Sequence, residues 1–184
     1  IAEVEEFGLN FSNHLTSLER NGRNGLWLHM LKNGYRPALV RGKFNAVVTN
    51  FPWLSLSKLA NNPYKVALKA RVADFNLKPP SQSALHVELA SVFMMHAAKH
   101  YLGNIGALGV VVPNSVYQGT HQEPIRNGDF RNPPSNIPLT ITEVWDVDKD
   151  TFSTNVAAVL IAKKGGKVVA PTGAKVSEQF GKTS

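Results

Sequence analysis

The chain has 184 residues, no cysteine, and 20 Lys and Arg against 13 Asp and Glu, for a formal charge of +7. That length fits one domain able to bury a core without disulfides, and the absent thiols exclude disulfide frameworks, zinc fingers, iron–sulfur sites and cysteine nucleophiles. No apolar run approaches the ~20 residues of a membrane span, and the basic surplus favours a polyanion such as nucleic acid as partner. The composition is that of a cytoplasmic, basic α/β-type domain with no metal and no membrane association.

Glu3, Glu5 and Glu6 follow Ile1 closely and contradict a leader segment, so the sequence reads as an excerpt of something longer. Residues 11–33 contain helical patches (Leu15, Leu18; Leu26, Trp27, Met30, Leu31) broken by Asn21-Gly22 and closed by Asn33-Gly34. Phe44–Asn50 (FNAVVTN) is a β-branched run that stops short of a proline, which predicts a buried strand. Residues 54–80 form a Lys-rich excursion ending in Pro79-Pro80, with one short helix near Tyr64–Ala70. Ser83 is placed to cap a helix running to Tyr101, with Gly103 as its stop. That helix has little polar face, so it should pack on a sheet. Gly106–Val112, Thr140–Val147 and Val156–Lys163 read as three more strands, the last two joined by a loop around Asp148–Thr154 and able to pair antiparallel. The tail, with Lys163, Lys164, Lys167 and Lys175 against Glu178, reads as a linker, an edge strand at Lys167–Ala170, or a fraying end. This order predicts an α/β fold, a mostly parallel sheet with an antiparallel edge strand.

In open α/β sheets ligands sit at the carboxyl ends of strands. Two segments there are unusual: Thr49-Asn50-Phe51-Pro52-Trp53 and Pro113-Asn114-Ser115. Asn50 offers an amide oxygen, and the residue before Pro52 is pushed toward extended backbone, which leaves the Phe51 carbonyl free to point outward. Trp53 adds a flat face. Two acceptors and a ring suit a planar heterocycle with an exocyclic amine; a strand-to-helix turn with Asn50 as cap and Trp53 in the core accounts for the same residues.

The segment GKFNAVVTNFPWLS resembles the (Asp/Asn/Ser)-Pro-Pro-(Tyr/Phe/Trp) motif, with its flanks, at the end of the fourth strand of S-adenosylmethionine-dependent amino-methyltransferases. HVELASVFMMHAAKHYLGNIGALGVVVPNSVYQGTHQEPIR is similar to the next helix, the fifth strand and its Pro-x-Ser loop, and ITEVWDVD with Phe152–Lys163 is similar to the closing strands. The resemblance spans roughly residues 24–164 and is strongest to large adenine-specific (N6) DNA methyltransferases of restriction–modification and phage-defence type. It departs at Phe51, where the family has its first motif proline, and at Asn45, where Asp is common.

The resemblance implies a partial Rossmann-like methyltransferase sheet, its second half, and divides the chain into a helical lead-in (1–43), the catalytic half (44–164) and a basic tail or linker (165–184). It implies that Asn50, Phe51, Pro52 and Trp53 form the catalytic motif, in which the Asn50 oxygen and the Phe51 carbonyl accept hydrogen bonds from the N6 amine of a flipped adenine and Trp53 stacks on the base. The amine is itself the nucleophile, which agrees with the missing cysteine, since cytosine-C5 methylation needs a thiolate. Ser115, His121, Arg126 and Lys58 are implied contacts to DNA or substrate. The cofactor that the resemblance implies is S-adenosylmethionine, and the partners it implies are double-stranded DNA and the remainder of the methyltransferase chain. The Gly-rich turn that holds this cofactor is absent from the sequence: Gly103–Gly109 lies between a helix and a strand, the wrong order for it. The isolated fragment is therefore expected to be inactive. An inactive DNA-binding or structural remnant, and an N-methyltransferase of RNA or a protein amide, stand as alternatives.

Other constellations are bland. His86 and Glu88 have the spacing of zinc deaminases without the cysteines. His96 and His100 lie one helical turn apart without a third ligand. Ser115 and His121 lack a nucleophile elbow.

Overall fold

The computed structural model describes residues 2–22, 33–147 and 156–176. The patches at Leu26–Leu31 and the loop Asp148–Thr154 lie outside the described residues. The chain divides into two compact units, residues 1–41 and 42–184.

In the first unit, α1 spans Ala2–Arg20 and ends in a turn at Asn21-Gly22, where Gly22 takes φ +69°. The helix starts nine residues before the patches read from periodicity, in a stretch whose Ala, Glu and Leu favour helix intrinsically. Residues 33–39 are also helical (α2), so Asn33-Gly34 does not close a helix there.

The second unit is a five-stranded sheet in the order β1-β2-β4-β3-β5, with β1 Phe44–Asn50, β2 Leu102–Pro113, β3 Leu139–Val147, β4 Ala157–Lys164 and β5 Thr172–Val176. β1 pairs parallel with β2, and β5 parallel with β3. β4 runs antiparallel to both of its neighbours. Four strands thus point one way, and the reversed strand sits between β2 and β3. The tail supplies an edge strand, at Thr172–Val176 and not Lys167–Ala170.

One face of the sheet carries the core. Leu108, Val110 and Val112 of β2 and Ala158, Leu160 and Ala162 of β4 alternate inward, the period-two pattern of a strand with one covered face. They meet α3 (Pro63–Asp74) and α4 (Leu89–His100) in one cluster with Leu68, Val72, Phe75, Met94 and Met95. α3 begins where Asn62 accepts the Lys65 amide at 2.9 Å, with Pro63 at the first helical position. Lys65, part of the basic excursion, is buried and spends its ammonium on the Leu59 carbonyl at 2.7 Å.

The expected helix from Ser83 is shorter. Ser83 caps only a single turn, Ala84–His86. Val87 and Glu88 are then extended, because Val87 O accepts from Leu56 N at 3.1 Å and Leu89 N donates to Leu54 O at 2.8 Å. This short antiparallel bridge, Ser55 to Glu88, ties the excursion to the start of α4. β2 then follows α4 almost at once, and Gly103–Gly109 lies within β2 itself.

Candidate functional site

Asn50 of β1 pairs in register with Val111 of β2. The two parallel strands therefore end side by side, and β2 runs on to Pro113. The loops that follow, Phe51–Trp53 and Asn114–Ser115, are neighbours at the carboxyl edge of the sheet, where ligands of open α/β sheets bind. The two segments singled out by sequence are thus brought together.

Asn50, Phe51, Pro52 and Trp53 bound a cavity of about 420 Å³. Asn50 and Pro52 are exposed, and Phe51 and Trp53 are half-buried. The Phe51 ring turns to the core and stacks on Phe93 of α4, with centroids 5.9 Å apart and planes 29° apart. The ring that replaces the expected proline is thereby absorbed by packing.

A second cavity, about 410 Å³, lies on the β2 side of the same loop. Trp53 lines both. Its other walls include Lys58, Glu88, Asn114, Ser115 and Val156. Lys58 closes a short turn, Leu56–Lys58, and Ser115 opens α5 (Ser115–Gln118); both are exposed. The Asn114 main chain is fixed at both ends, its amide donating to Val156 O at 2.9 Å and its carbonyl accepting from Gln118 at 2.8 Å.

Of the expected DNA contacts, Lys58 and Ser115 join Trp53; His121 and Arg126 do not. His121 stacks on His86 (centroids 4.7 Å) and its Nδ1 bonds Gln82 Oε1 at 2.8 Å, fastening two loops together. Arg126, on α6 (Glu123–Asn127), donates to the carbonyls of Tyr117 at 2.6 Å and Gly119 at 2.9 Å. It faces a different cavity, of about 570 Å³, with Gln118 and Asp146. Sequence reasoning met Glu88 only as a partner of His86 at deaminase spacing and set it aside; the signal for its place here is a carboxylate standing directly before the apolar start of α4.

Burial lifts the Glu88 carboxyl above its ordinary value of 4.5, because desolvation penalises its charged form. The folded chain holds this proton to higher pH than the unfolded chain does, so Glu88 costs stability as pH rises from its ordinary value through the raised one. Glu88→Gln should therefore be close to neutral near pH 4 and stabilising near pH 7, read by urea unfolding at both. A variant that loses stability relative to wild type as pH rises would contradict this.

No protein-family model matches the sequence, and no curated protein matches it. Solved structures do match. The chain superposes on part of the type ISP restriction–modification enzyme LlaGI, solved in complex with a DNA substrate mimic, with TM-score 0.52 and 13% identity over 79% of this chain and 15% of that one. That likeness shows the fold. It also resembles a Listeria monocytogenes protein described as a class I S-adenosylmethionine-dependent methyltransferase (TM-score 0.49, 16% identity, 72% of this chain and 36% of that one). A third likeness is to a modification subunit assigned to a type I restriction enzyme of Vibrio vulnificus (TM-score 0.44, 16% identity, 75% and 26%). The chain thus spans between about a seventh and about a third of these proteins.

Among the described residues no helix is long and apolar enough to cross a membrane, and no three acidic or histidine side chains are grouped to hold a metal. The described residues also include no glycine-rich turn leading from a strand into a helix. Among the described residues, then, the glycine cradle that would hold S-adenosylmethionine in this kind of fold is not found.

Proposed function

We propose that this chain is the base-accepting half of an S-adenosylmethionine-dependent DNA adenine-N6 methyltransferase of restriction–modification type. The observation that carries the reading is the cavity bounded by Asn50, Phe51, Pro52 and Trp53 at the carboxyl end of β1. A flipped adenine stacks on Trp53, and its N6 hydrogens go to the Asn50 amide oxygen and the Phe51 carbonyl. Both acceptors draw the amine out of conjugation with the ring and turn its lone pair outward. S-adenosylmethionine supplies an electrophilic methyl when bound, and the remainder of the methyltransferase fold is the partner that binds it.

The free side of β1 supports that partnership. Among the described residues β1 pairs only with β2, while Val48 is 86% exposed and Phe44 and Ala46 are also exposed. An edge so apolar suits a covering element better than water.

The test is the product. The full-length protein carrying this chain is expressed in a host that lacks adenine methylation, and the DNA is digested to nucleosides. N6-methyldeoxyadenosine is the expected new peak by mass spectrometry. N4-methyldeoxycytidine in its place, or no methylated nucleoside, would overturn the adenine reading.

A further inference from the structure

The second cavity has chemistry that amine methylation does not use. Lys58 and Glu88 both line it, yet among the described residues the ion pair is Arg71–Asp74, on α3. Among the described residues, then, the Lys58 ammonium and the Glu88 carboxyl line one cavity without forming an ion pair. The Asn114 amide, on the same wall, holds a buried Oδ1 with no hydrogen-bond partner, a state that costs free energy until a donor arrives. Trp53 supplies a flat apolar wall on which any base can stack. At about 410 Å³ the space lies within the range of small-ligand sites.

We infer that this cavity is a guanine pocket, in which Glu88 accepts the N1–H and N2–H bonds of the base and Lys58 donates to O6, with the ring against Trp53. The match is one of pattern. A carboxylate offers two acceptors side by side and so wants two parallel donors. Guanine presents them on its Watson–Crick edge, with the O6 acceptor next to them. Adenine and cytosine each set one ring acceptor beside one amine, which leaves a carboxylate lone pair facing a lone pair. Uracil and thymine have a single donor. The desolvation that raises the Glu88 pKa is the penalty that two N–H donors would relieve. Placed one Trp53 ring away from the Asn50 cavity, the pocket would hold a guanine near the methylated base in the recognised sequence; that placement rests on the proposed function, while the guanine preference does not.

The chain itself is titrated with guanosine, inosine and adenosine, which lack a phosphate that Lys58 would attract for other reasons, and binding is followed by ¹H–¹⁵N chemical shifts. Guanosine should bind at least about tenfold tighter than adenosine and several-fold tighter than inosine, which lacks the N2 amine. Glu88→Gln exchanges one acceptor for a donor and should lower guanosine affinity about tenfold. Its backbone bridge is main chain, and its stability near pH 7 should rise, so a lost signal is not unfolding. Asn50→Ala should leave guanosine binding unchanged. Equal affinity for adenosine, an unaffected Glu88→Gln variant, loss of binding in Asn50→Ala, or no guanosine shift up to its solubility limit would each overturn the assignment. A methylation product that fails the earlier test leaves this result standing, so the two readings fail separately.

Discussion

Replacing Asn50 by alanine should lower methyl transfer in the full-length protein by about 10²–10³-fold, the loss typical of one preorganised hydrogen-bonding group at a developing charge. As the amine attacks it becomes cationic, and an amide oxygen aimed at its N–H bonds is worth more there than in the ground state. The Phe51 carbonyl is main chain and survives the substitution, so the loss is large but incomplete. Asn50 is uncharged and exposed at the end of β1, so DNA affinity should change by less than about threefold, because phosphate contacts with cations dominate that term. Single-turnover transfer of a labelled methyl group and a gel-shift titration separate the two quantities. An unchanged transfer rate would remove Asn50 from the acceptor role.

Phe75→Ala should destabilise the second unit by about 3–5 kcal/mol. Phe75 ends α3 fully buried and is among the largest side chains in the core. Its amide donates to Arg71 O at 3.0 Å, so its backbone is held in place and the site cannot easily collapse. The cavity left behind adds to the lost transfer free energy. For a chain of this size the midpoint of thermal unfolding should fall by roughly 6–20 °C, measured by calorimetry. A fall of less than about 2 °C would mean that the core repacks around the gap.

What the sequence made legible was local. FNAVVTN is β-branched and ends where Pro52 follows, and the strand lies at Phe44–Asn50, but it is exposed along most of its length where burial was expected, because none of the described residues covers its outer face. The short helix expected near Tyr64–Ala70 lies inside α3, which is longer, Pro63–Asp74. The apolar run Gly106–Val112 is a strand, inside the longer β2, and Thr140–Val147 with Val156–Lys163 do pair antiparallel. The errors came from partners far away in the chain. Ser83 looked like the cap of a long helix, but main-chain bonds from Leu54 and Leu56 hold Val87 and Glu88 extended. No local propensity reports that bridge. The insertion of β4 between β2 and β3 is likewise a matter of non-local pairing.

The site divides in the same way. Asn50, Phe51, Pro52 and Trp53 are contiguous, so their grouping follows from one loop. Lys58, Glu88 and Ser115 come from three elements and meet only because β1 and β2 end together and the excursion folds back on α4. Arg126 illustrates the opposite: a cation that read as a phosphate contact is occupied with two carbonyls of its own chain. His121 was read beside the substrate and instead fastens one loop to another through His86 and Gln82.

The outer side of β1 bears on how the chain behaves in a test tube. Among the described residues its outer main-chain groups meet no strand, and they lie beside an almost bare Val48, a template onto which another strand can zip. Proteins that stay dispersed often blunt such rims with lysine or proline; Phe44–Asn50 has neither. Crowding the purified chain should accordingly drive it toward stacked, amyloid-like clumps, and dilution or a capping peptide should keep it apart.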